Sequence, residues 1–319
     1  MIVLTGGAGF IGSVFLEKLN QNNHKDIIVV DNIASTGKWK NLLNKDFSKY
    51  INKNEFINYI DENLILNRIE AIFHFGACSS TTENNVDYLI HNNLNYSIKL
   101  CELALEYDIP FHYASSAATY GHGENGFSDK FIDKLKPLNP YGYSKYLFDR
   151  WLIDNNHIDK VTGYKFFNVF GPNEYHKGNM ASMIYKSYYQ ILENNVVRLF
   201  KSNDPRFSNG GQVRDFVYVK DIVNVMYEFY KNDIKGIYNL GTGVENTWLD
   251  LANGVFKAMG KKPNIEFIDM PSDISKQYQN HTIADMTKFK NVSNYEFMSF
   301  ESAIMDYVQE HLSKDWQYK

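Results

Sequence analysis

Thr5-Gly6-Gly7-Ala8-Gly9-Phe10-Ile11-Gly12 is the stretch on which the fold turns. Ahead of it runs a short apolar segment, Ile2-Val3-Leu4, that reads as a buried strand. After it, Ile11, Val14, Phe15 and Leu19 fall on one helical face. A second apolar run, Ile27-Ile28-Val29-Val30, ends in Asp31. Strand, glycine turn, helix, strand and acid together predict a dinucleotide-binding unit. Gly6, Gly9 and Gly12 allow a tight turn, approach of a pyrophosphate to backbone N–H groups, and close helix–strand packing. The helix N-terminus favours the phosphate charge. A glycine turn without a ligand is the plainer reading, and the flanking strand, helix and acid outweigh it. Asp31 lies 19 residues after Gly12, where an acid meets the adenosine ribose. Alone it favours a free 2′-hydroxyl, hence NAD. Asn32, Lys38 and Lys53 follow, and the lysines suit a 2′-phosphate or plain solvent equally well.

The alternation of strands and helices continues. Ala71-Ile72-Phe73-His74-Phe75 reads as a strand entering Gly76-Ala77-Cys78-Ser79-Ser80. A helix is expected over roughly 86–107, a strand over 110–116 and another over 164–169. The repeated units predict an α/β fold, a Rossmann-like doubly wound parallel sheet. Ligands of such sheets gather at the strand C-terminal ends. Gly9, Asp31, Gly76, Ser116 and Asn168 all fall there, so one groove can collect them. Beyond Gly171-Pro172 the pattern loosens. Residues 202–213 form a polar loop, 212–221 read as a strand entering a helix, and 246–260 and 300–312 as amphipathic helices. The expected division is a cofactor-binding domain over 1–170, rejoined by 212–240, and a smaller mixed α/β substrate-binding lobe over 171–319.

Tyr141-Gly142-Tyr143-Ser144-Lys145 follows a stop-and-cap signal, Pro137-Leu138-Asn139-Pro140. Residues four apart sit one above the other on a helix, so Tyr141 and Lys145 share a face and Tyr143 points off it, towards packing. An ammonium one turn away is expected to favour the Tyr141 phenolate and lower its pKa. Such a tyrosine can take a proton from a substrate hydroxyl while a cofactor takes the hydride. Among 23 tyrosines the pair means little alone, and the upstream glycine turn gives it weight. Ser116, at its strand end, can hydrogen-bond the reacting oxygen. Arg214 suits a diphosphate through its guanidinium fork, the plain alternative being an ion pair with Asp215 or Asp221.

The bulk properties exclude other classes. The chain has 319 residues and a net charge of −4, which speaks against nucleic acid or an anionic membrane as partner. Its two cysteines, Cys78 and Cys101, make neither a zinc site nor a disulfide framework, and the nine histidines show no ligand spacing. A metal is not expected. A strand beginning at residue 2 leaves no room for a signal peptide, and no apolar run approaches membrane-spanning length. A cytoplasmic protein is expected.

The glycine turn, Ser116 and Tyr141-x-x-x-Lys145 together resemble the extended short-chain dehydrogenase/reductase superfamily. Asn168-Val169-Phe170-Gly171-Pro172, Arg214-Asp215-Phe216-Val217-Tyr218-Val219-Lys220-Asp221 and Tyr238-Asn239-Leu240-Gly241 add to this. More narrowly, three stretches resemble the ADP-glyceromanno-heptose 6-epimerase family. They are Gly76-Ala77-Cys78-Ser79-Ser80-Thr81-Thr82-Glu83, Ala114-Ser115-Ser116-Ala117-Ala118-Thr119-Tyr120-Gly121 and His176-Lys177-Gly178. That resemblance implies epimerisation at C6 of an ADP-heptose for the lipopolysaccharide inner core. It implies NADP rather than NAD, and a homo-oligomer, a ring-shaped pentamer. Phe10, Ile11, Asp31, Asn32, Lys38, Lys53, Phe75, Gly76, Ala77, Cys78, Ser79, Asn92, Lys145, Val169 and Lys177 match its cofactor positions. Ser116, Asn168, Phe200, Lys201, Ser202, Asn203, Arg214 and Tyr278 match substrate positions, with Asn179 and Lys186 standing where the family has serine and histidine. Lys177 is implied as a second base beside Tyr141. Sugar-nucleotide dehydratases of the superfamily carry an Asp-Glu pair after the active-site hydroxyl; here stand Ala117 and Ala118, which disfavours water elimination. Competing readings are another nucleotide-sugar epimerase such as a 4-epimerase, a reductase, and a non-catalytic dinucleotide-binding scaffold.

Overall fold

The computed structural model describes residues 1–63, 65–275 and 278–314. Its strands are β1 (Ile2–Thr5), β2 (Ile27–Asp31), β3 (Lys49–Asn52), β4 (Ala71–His74), β5 (Phe111–Ser116), β6 (Thr162–Phe166) and β7 (Asn168–Phe170). The later ones are β8 (Val197–Phe200), β9 (Val213–Arg214), β10 (Phe216–Tyr218), β11 (Gly236–Leu240), β12 (Asn246–Thr247), β13 (Ile265–Ile268) and β14 (His281–Thr282). Seven of them form one sheet in the order β11-β6-β5-β4-β1-β2-β3. Every pairing in it is parallel. Ile2, Val3, Leu4 and Ile27 to Val30 are buried. This is the apolar signature of strands covered on both faces.

The helices are α1 (Phe10–Gln21), α2 (Lys53–Asn63), α3 (Val86–Leu89), α4 (Tyr96–Glu106), α5 (Pro140–Asp154), α6 (Met183–Asn194), α7 (Val219–Lys231), α8 (Trp248–Ala258), α9 (Ser272–Ser275), α10 (Thr287–Lys290) and α11 (Phe300–Tyr307). α1 packs against α7, and α5 against the segment joining α3 to α4. After β3 the chain returns to the middle of the sheet and builds outwards from β4. The direction of strand addition therefore reverses between β1 and β4, which opens a crevice at their C-terminal ends. Among the described residues, no helix is long and apolar enough to cross a membrane.

Several expected elements differ in detail. The helix over 86–107 is interrupted by a π-helical turn at Ile90–Asn95, which buries Asn92 and Asn93. The strand over 164–169 is two strands in two sheets, β6 and β7, broken at Phe167. The run from Gln212 likewise splits at Asp215 into β9 and β10. Asp215 is buried, and its carboxylate accepts from Thr242 N and Oγ1, Gly243 N and Ala284 N. That set of bonds holds the chain where it passes between sheets. Asn246 and Thr247 pair with β9 before α8 begins, and Thr247 caps α8 in a capping box with Asp250.

Candidate active site

α1 starts at Gly9, with neither a side-chain cap nor an acid in its first turn. Its N-terminal N–H groups are thus left for an anion. Glycine is required at the turn: a Cβ on Gly12 would stand 2.1 Å from the Gly6 carbonyl oxygen, and one on Gly6 2.6 Å from Gly76 N. The turn, with backbone donors at its lip and no side chain to fill it, fits a pyrophosphate.

Asn139 caps α5 by accepting from Gly142 N at 2.8 Å, and Pro140 occupies its first turn. This start places Tyr141 and Lys145 one turn apart over the end of β5. Tyr143 leaves that face as expected, but it is exposed rather than packed.

A cavity of about 570 Å³ runs along the carboxyl edge of the sheet. The glycine turn contributes Gly6, Gly9, Phe10, Ile11 and Gly12 to its wall. The ends of β2 and β4 add Asp31, Lys38, Phe75, Gly76, Ala77 and Ser79. Facing them stand Ser116, Tyr141, Lys145, Asn168, Val169 and Lys177. A side cavity of about 150 Å³ shares Asp31 and Lys38 and adds Asn32, Lys53, Cys78 and Asn92. Lys38 Nζ donates to Asp31 Oδ1 at 2.6 Å, and Lys53 Nζ donates to Asn92 Oδ1. Asp31 also accepts from Ala8 N and Asn32 N. Its carboxylate is largely engaged by protein, while two ammonium groups stand beside it.

The expected lowering of the Tyr141 pKa does not hold. Burial raises it, the neighbouring Ser116 hydroxyl opposes the rise, and the nearby Cys78 adds to it. Tyr141 as a residue is only half-buried, because the cavity opens above it, but protein surrounds its phenol. Lys145 does not reverse this, since its Nζ donates to the Ala114 carbonyl at 2.9 Å. Burial pushes Lys145 itself down to about 8, with Asp149 opposing. Burial also lowers Lys177, against the charge of Glu174. The Lys177 ammonium lies 5.3 Å from the centre of the Phe10 ring.

Neither cavity takes a wall residue from Asn179, Lys186, Phe200, Lys201, Ser202, Asn203, Arg214 or Tyr278. Lys186 donates to the Asn179 carbonyl at 2.6 Å. Phe200 ends β8 opposite Ile268, and Lys201 pairs with Asp269 at 2.9 Å. Ser202 N donates to Asn209, and Asn203 bonds Ser275. Arg214 is held between aromatic rings, 5.4 Å from Trp248 and 5.0 Å from Tyr278. Among the described residues it has no ion pair, neither with Asp215 nor with Asp221. Trp248 and Thr282 line the large cavity and carry no signal in the sequence. His176 lines it too, and its signal was the adjacent Lys177.

Beneath Tyr141 and Lys145 the face of α5 continues to Asp149. Asp149 accepts from Tyr113 and Ser115, each at 2.7 Å, and pairs with Lys165 at 2.6 Å. Lys165 also donates to Thr119 Oγ1, which donates to the Ser116 carbonyl. This network ties Ser116 and the strand under Lys145 to one buried ion pair. The spacing of Asp149, four residues after Lys145, was its only trace in the sequence.

A parallel sheet with a phosphate turn at one end of a cavity, and serine, tyrosine and lysine at the other, defines a short-chain dehydrogenase/reductase of the extended type. The matching of residues 2–241 places the chain in the NAD dependent epimerase/dehydratase family, to which it belongs. It is 47% identical to an ADP-L-glycero-D-manno-heptose-6-epimerase of Nitratidesulfovibrio vulgaris, over 98% of each chain. It is 43% identical to another from Fusobacterium nucleatum over the full length of both. Among solved structures it is similar to the ADP-L-glycero-D-manno-heptose-6-epimerase of Helicobacter pylori, with a TM-score of 0.81 and 28% identity over 97% of this chain and 95% of that one. The family and its neighbours bring with them a nicotinamide dinucleotide as cofactor and a nucleotide sugar as substrate class.

Proposed function

We propose that this enzyme inverts C6 of ADP-D-glycero-D-manno-heptose to give ADP-L-glycero-D-manno-heptose. The observation that carries the reading is the meeting of Tyr141, Ser116, Lys145 and Lys177 around one cavity that also takes the glycine turn. The full-length likeness to heptose epimerases supports the sugar. Ala117 and Ala118, where a dehydratase needs an acid and a base, support epimerisation over elimination.

A nicotinamide dinucleotide supplies the transient store for the hydride. The residues of the chain manage protons and positions. Ser116 holds the reacting oxygen by a hydrogen bond. Tyr141, on α5, takes or returns the hydroxyl proton of one epimer. Lys177, on the turn Tyr175–Met180, serves the other epimer. Its ammonium is already biased towards releasing a proton by burial. Lys145 holds the nicotinamide-side ribose. Asn168 and Arg214 hold the sugar and the diphosphate, with Tyr278, Phe200 to Asn203, Asn179 and Lys186 around them. Lys38 and Lys53 hold a 2′-phosphate, which makes the cofactor NADP; the engagement of Asp31 by Lys38 supports this, since the acid is then occupied. Residues 1–170 with 212–240 form the cofactor domain and 171–319 mainly the substrate lobe. The enzyme works in the cytoplasm as a homo-oligomer, a pentamer.

Purified protein incubated with ADP-D-glycero-D-manno-heptose, without added cofactor, should drift to an equilibrium mixture of C6 epimers by NMR. Unchanged substrate at full cofactor occupancy would sink the proposal. Extraction of the bound nucleotide distinguishes NADP from NAD.

A further inference from the structure

Glu174 is wholly buried, and among the described residues no lysine or arginine forms an ion pair with it. Its two carboxylate oxygens accept four hydrogen bonds instead. Ser182 N and Oγ donate at 2.5 and 2.7 Å, Tyr307 OH at 2.9 Å and Gly171 N at 3.4 Å. Two of these donors are backbone N–H groups, which cannot accept. The Ser182 hydroxyl gives its one proton to Glu174 while accepting from Tyr185 N. Such a set fits an ionised carboxylate, which has no proton to give. A charge held this deep without an ion pair calls for a cause.

The four bonds close a loop. Gly171 precedes the turn Tyr175–Met180, and Ser182 follows it as the cap of α6. One carboxylate thus draws both ends of the loop together, and Tyr307 ties it to α11. Lys177 rides on this turn. Its backbone N–H donates to the Glu174 carbonyl at 2.9 Å, and residues three apart in such a turn lie one above the other. Past Glu174 the loop becomes cavity wall, through Lys177, Met180, Ala181 and Ser182.

Charge points the same way. Burial lowers the Lys177 pKa and Glu174 opposes the fall; burial raises the Glu174 pKa, and Lys177 is among the groups that oppose the rise. Other titratable groups surround the turn. His176 lies on it, with Lys38 and Asp31 acting from beyond β2. Lys186 stands on α6, Tyr307 on α11 with Tyr175 and Tyr218 near it, and Tyr141 across the cavity. Among the described residues Asp31 is the one carboxylate that lines the large cavity, and Lys38 engages it at 2.6 Å. Glu174 is left as the counter-charge of Lys177.

We infer that Glu174 is the positioning residue of Lys177: its carboxylate closes the loop that presents the lysine to the cavity and supplies the negative charge that balances the ammonium. Glu174 lines neither cavity, so it acts only through Lys177. The lysine is then poised between burial, which favours release of its proton, and Glu174, which favours keeping it. This rests on the reading of Lys177 as a proton-handling group and deepens it.

Trace acetylation with acetic anhydride, read at the Lys177 peptide by mass spectrometry across pH, reports the protonation of that lysine without turnover. Glu174→Gln keeps the size of the side chain and an oxygen for Ser182 Oγ, Tyr307 and Gly171, and it removes the charge. Its Lys177 midpoint should fall below that of the wild type by at least about one pH unit, roughly a tenfold loss of proton affinity. An acid that only braced the loop predicts the reverse, since a loosened loop lets water reach the lysine and its midpoint climbs. An unchanged or higher midpoint in Glu174→Gln overturns the proposal. Glu174→Asp restores the charge at shorter reach, so its midpoint should return to the wild-type value or above; a midpoint below the wild type's overturns the proposal. Should Glu174→Gln fail to fold, Glu174→Asp decides by the same two outcomes. The limb of the pH–rate profile that Lys177 sets in C6 epimerisation should move with its labelling midpoint. A labelling shift with an unmoved rate profile leaves the pairing of Glu174 with Lys177 standing and sinks the base role of Lys177.

Discussion

Asp149 and Lys165 meet at 2.6 Å with both side chains wholly buried, directly beneath the helix face that carries Tyr141 and Lys145. Breaking such a pair leaves one buried charge without its counterion. Asp149→Leu should therefore cost about 3–5 kcal/mol of stability, and Lys165→Met a similar amount. The double variant should recover much of that loss, since both charges are gone. Urea unfolding of the three variants checks this; a double variant less stable than either single would rule out the charge argument.

Tyr141→Phe and Lys177→Met each remove one of the proposed proton-handling groups and should leave the fold alone. Each should slow C6 epimerisation by roughly 10²–10⁴-fold, the usual contribution of general acid–base groups. Bound cofactor should persist in Tyr141→Phe. Full-rate epimerisation by Lys177→Met would remove that lysine from the chemistry.

Gly12→Ala tests the phosphate turn. Its new methyl would stand 2.1 Å from the Gly6 carbonyl oxygen, a backbone atom that cannot rotate away. The variant should lose its copurifying nucleotide and melt at a lower temperature. Nucleotide content, read by absorbance after denaturation, decides the point.

Buried histidines set an acid limit. His112 is 1% exposed and burial lowers its pKa from 6.5 to about 3, with Lys235 adding to the effect; burial lowers His74 likewise to about 3. Between those values the unfolded chain binds a proton that the folded chain does not. Stability is thus intact above the unfolded value and falls as pH drops from 6.5 towards 3. Well inside that window each histidine costs about 1.4 kcal/mol per pH unit. Unfolding free energies from urea titrations at about pH 7.5 and 5.5 should differ less in His112→Asn than in wild type, by about 1 kcal/mol. Equal differences would show that His112 does not titrate this way.

The cofactor half of the site was legible because its chemistry is local. Glycine spacing, strand, helix and Asp31 all lie within the first 31 residues. Tyr141 and Lys145 were legible for the same reason, since one helical turn joins them. Their protonation was not, because burial by distant segments outweighs the neighbouring charge, and Lys145 turns to Ala114. The proposed substrate end was least legible. Arg214 and Thr282 meet only through pairing of strands two residues long, and such strands leave no alternation to read. Residues 164–169 read as one strand because the pattern stays apolar across Phe167, while the change of sheet depends on the remote bonds of Asp215.

β11 closes the central sheet by lying along β6, with Tyr238 opposite Tyr164. A fragment ending near residue 170 would keep the glycine turn, Ser116 and Tyr141 yet leave β6 as a bare edge. Such an edge invites pairing with other chains. The nucleotide-binding half is therefore not a portable cassette: it cannot be cut out or fused elsewhere without carrying the distal strand along.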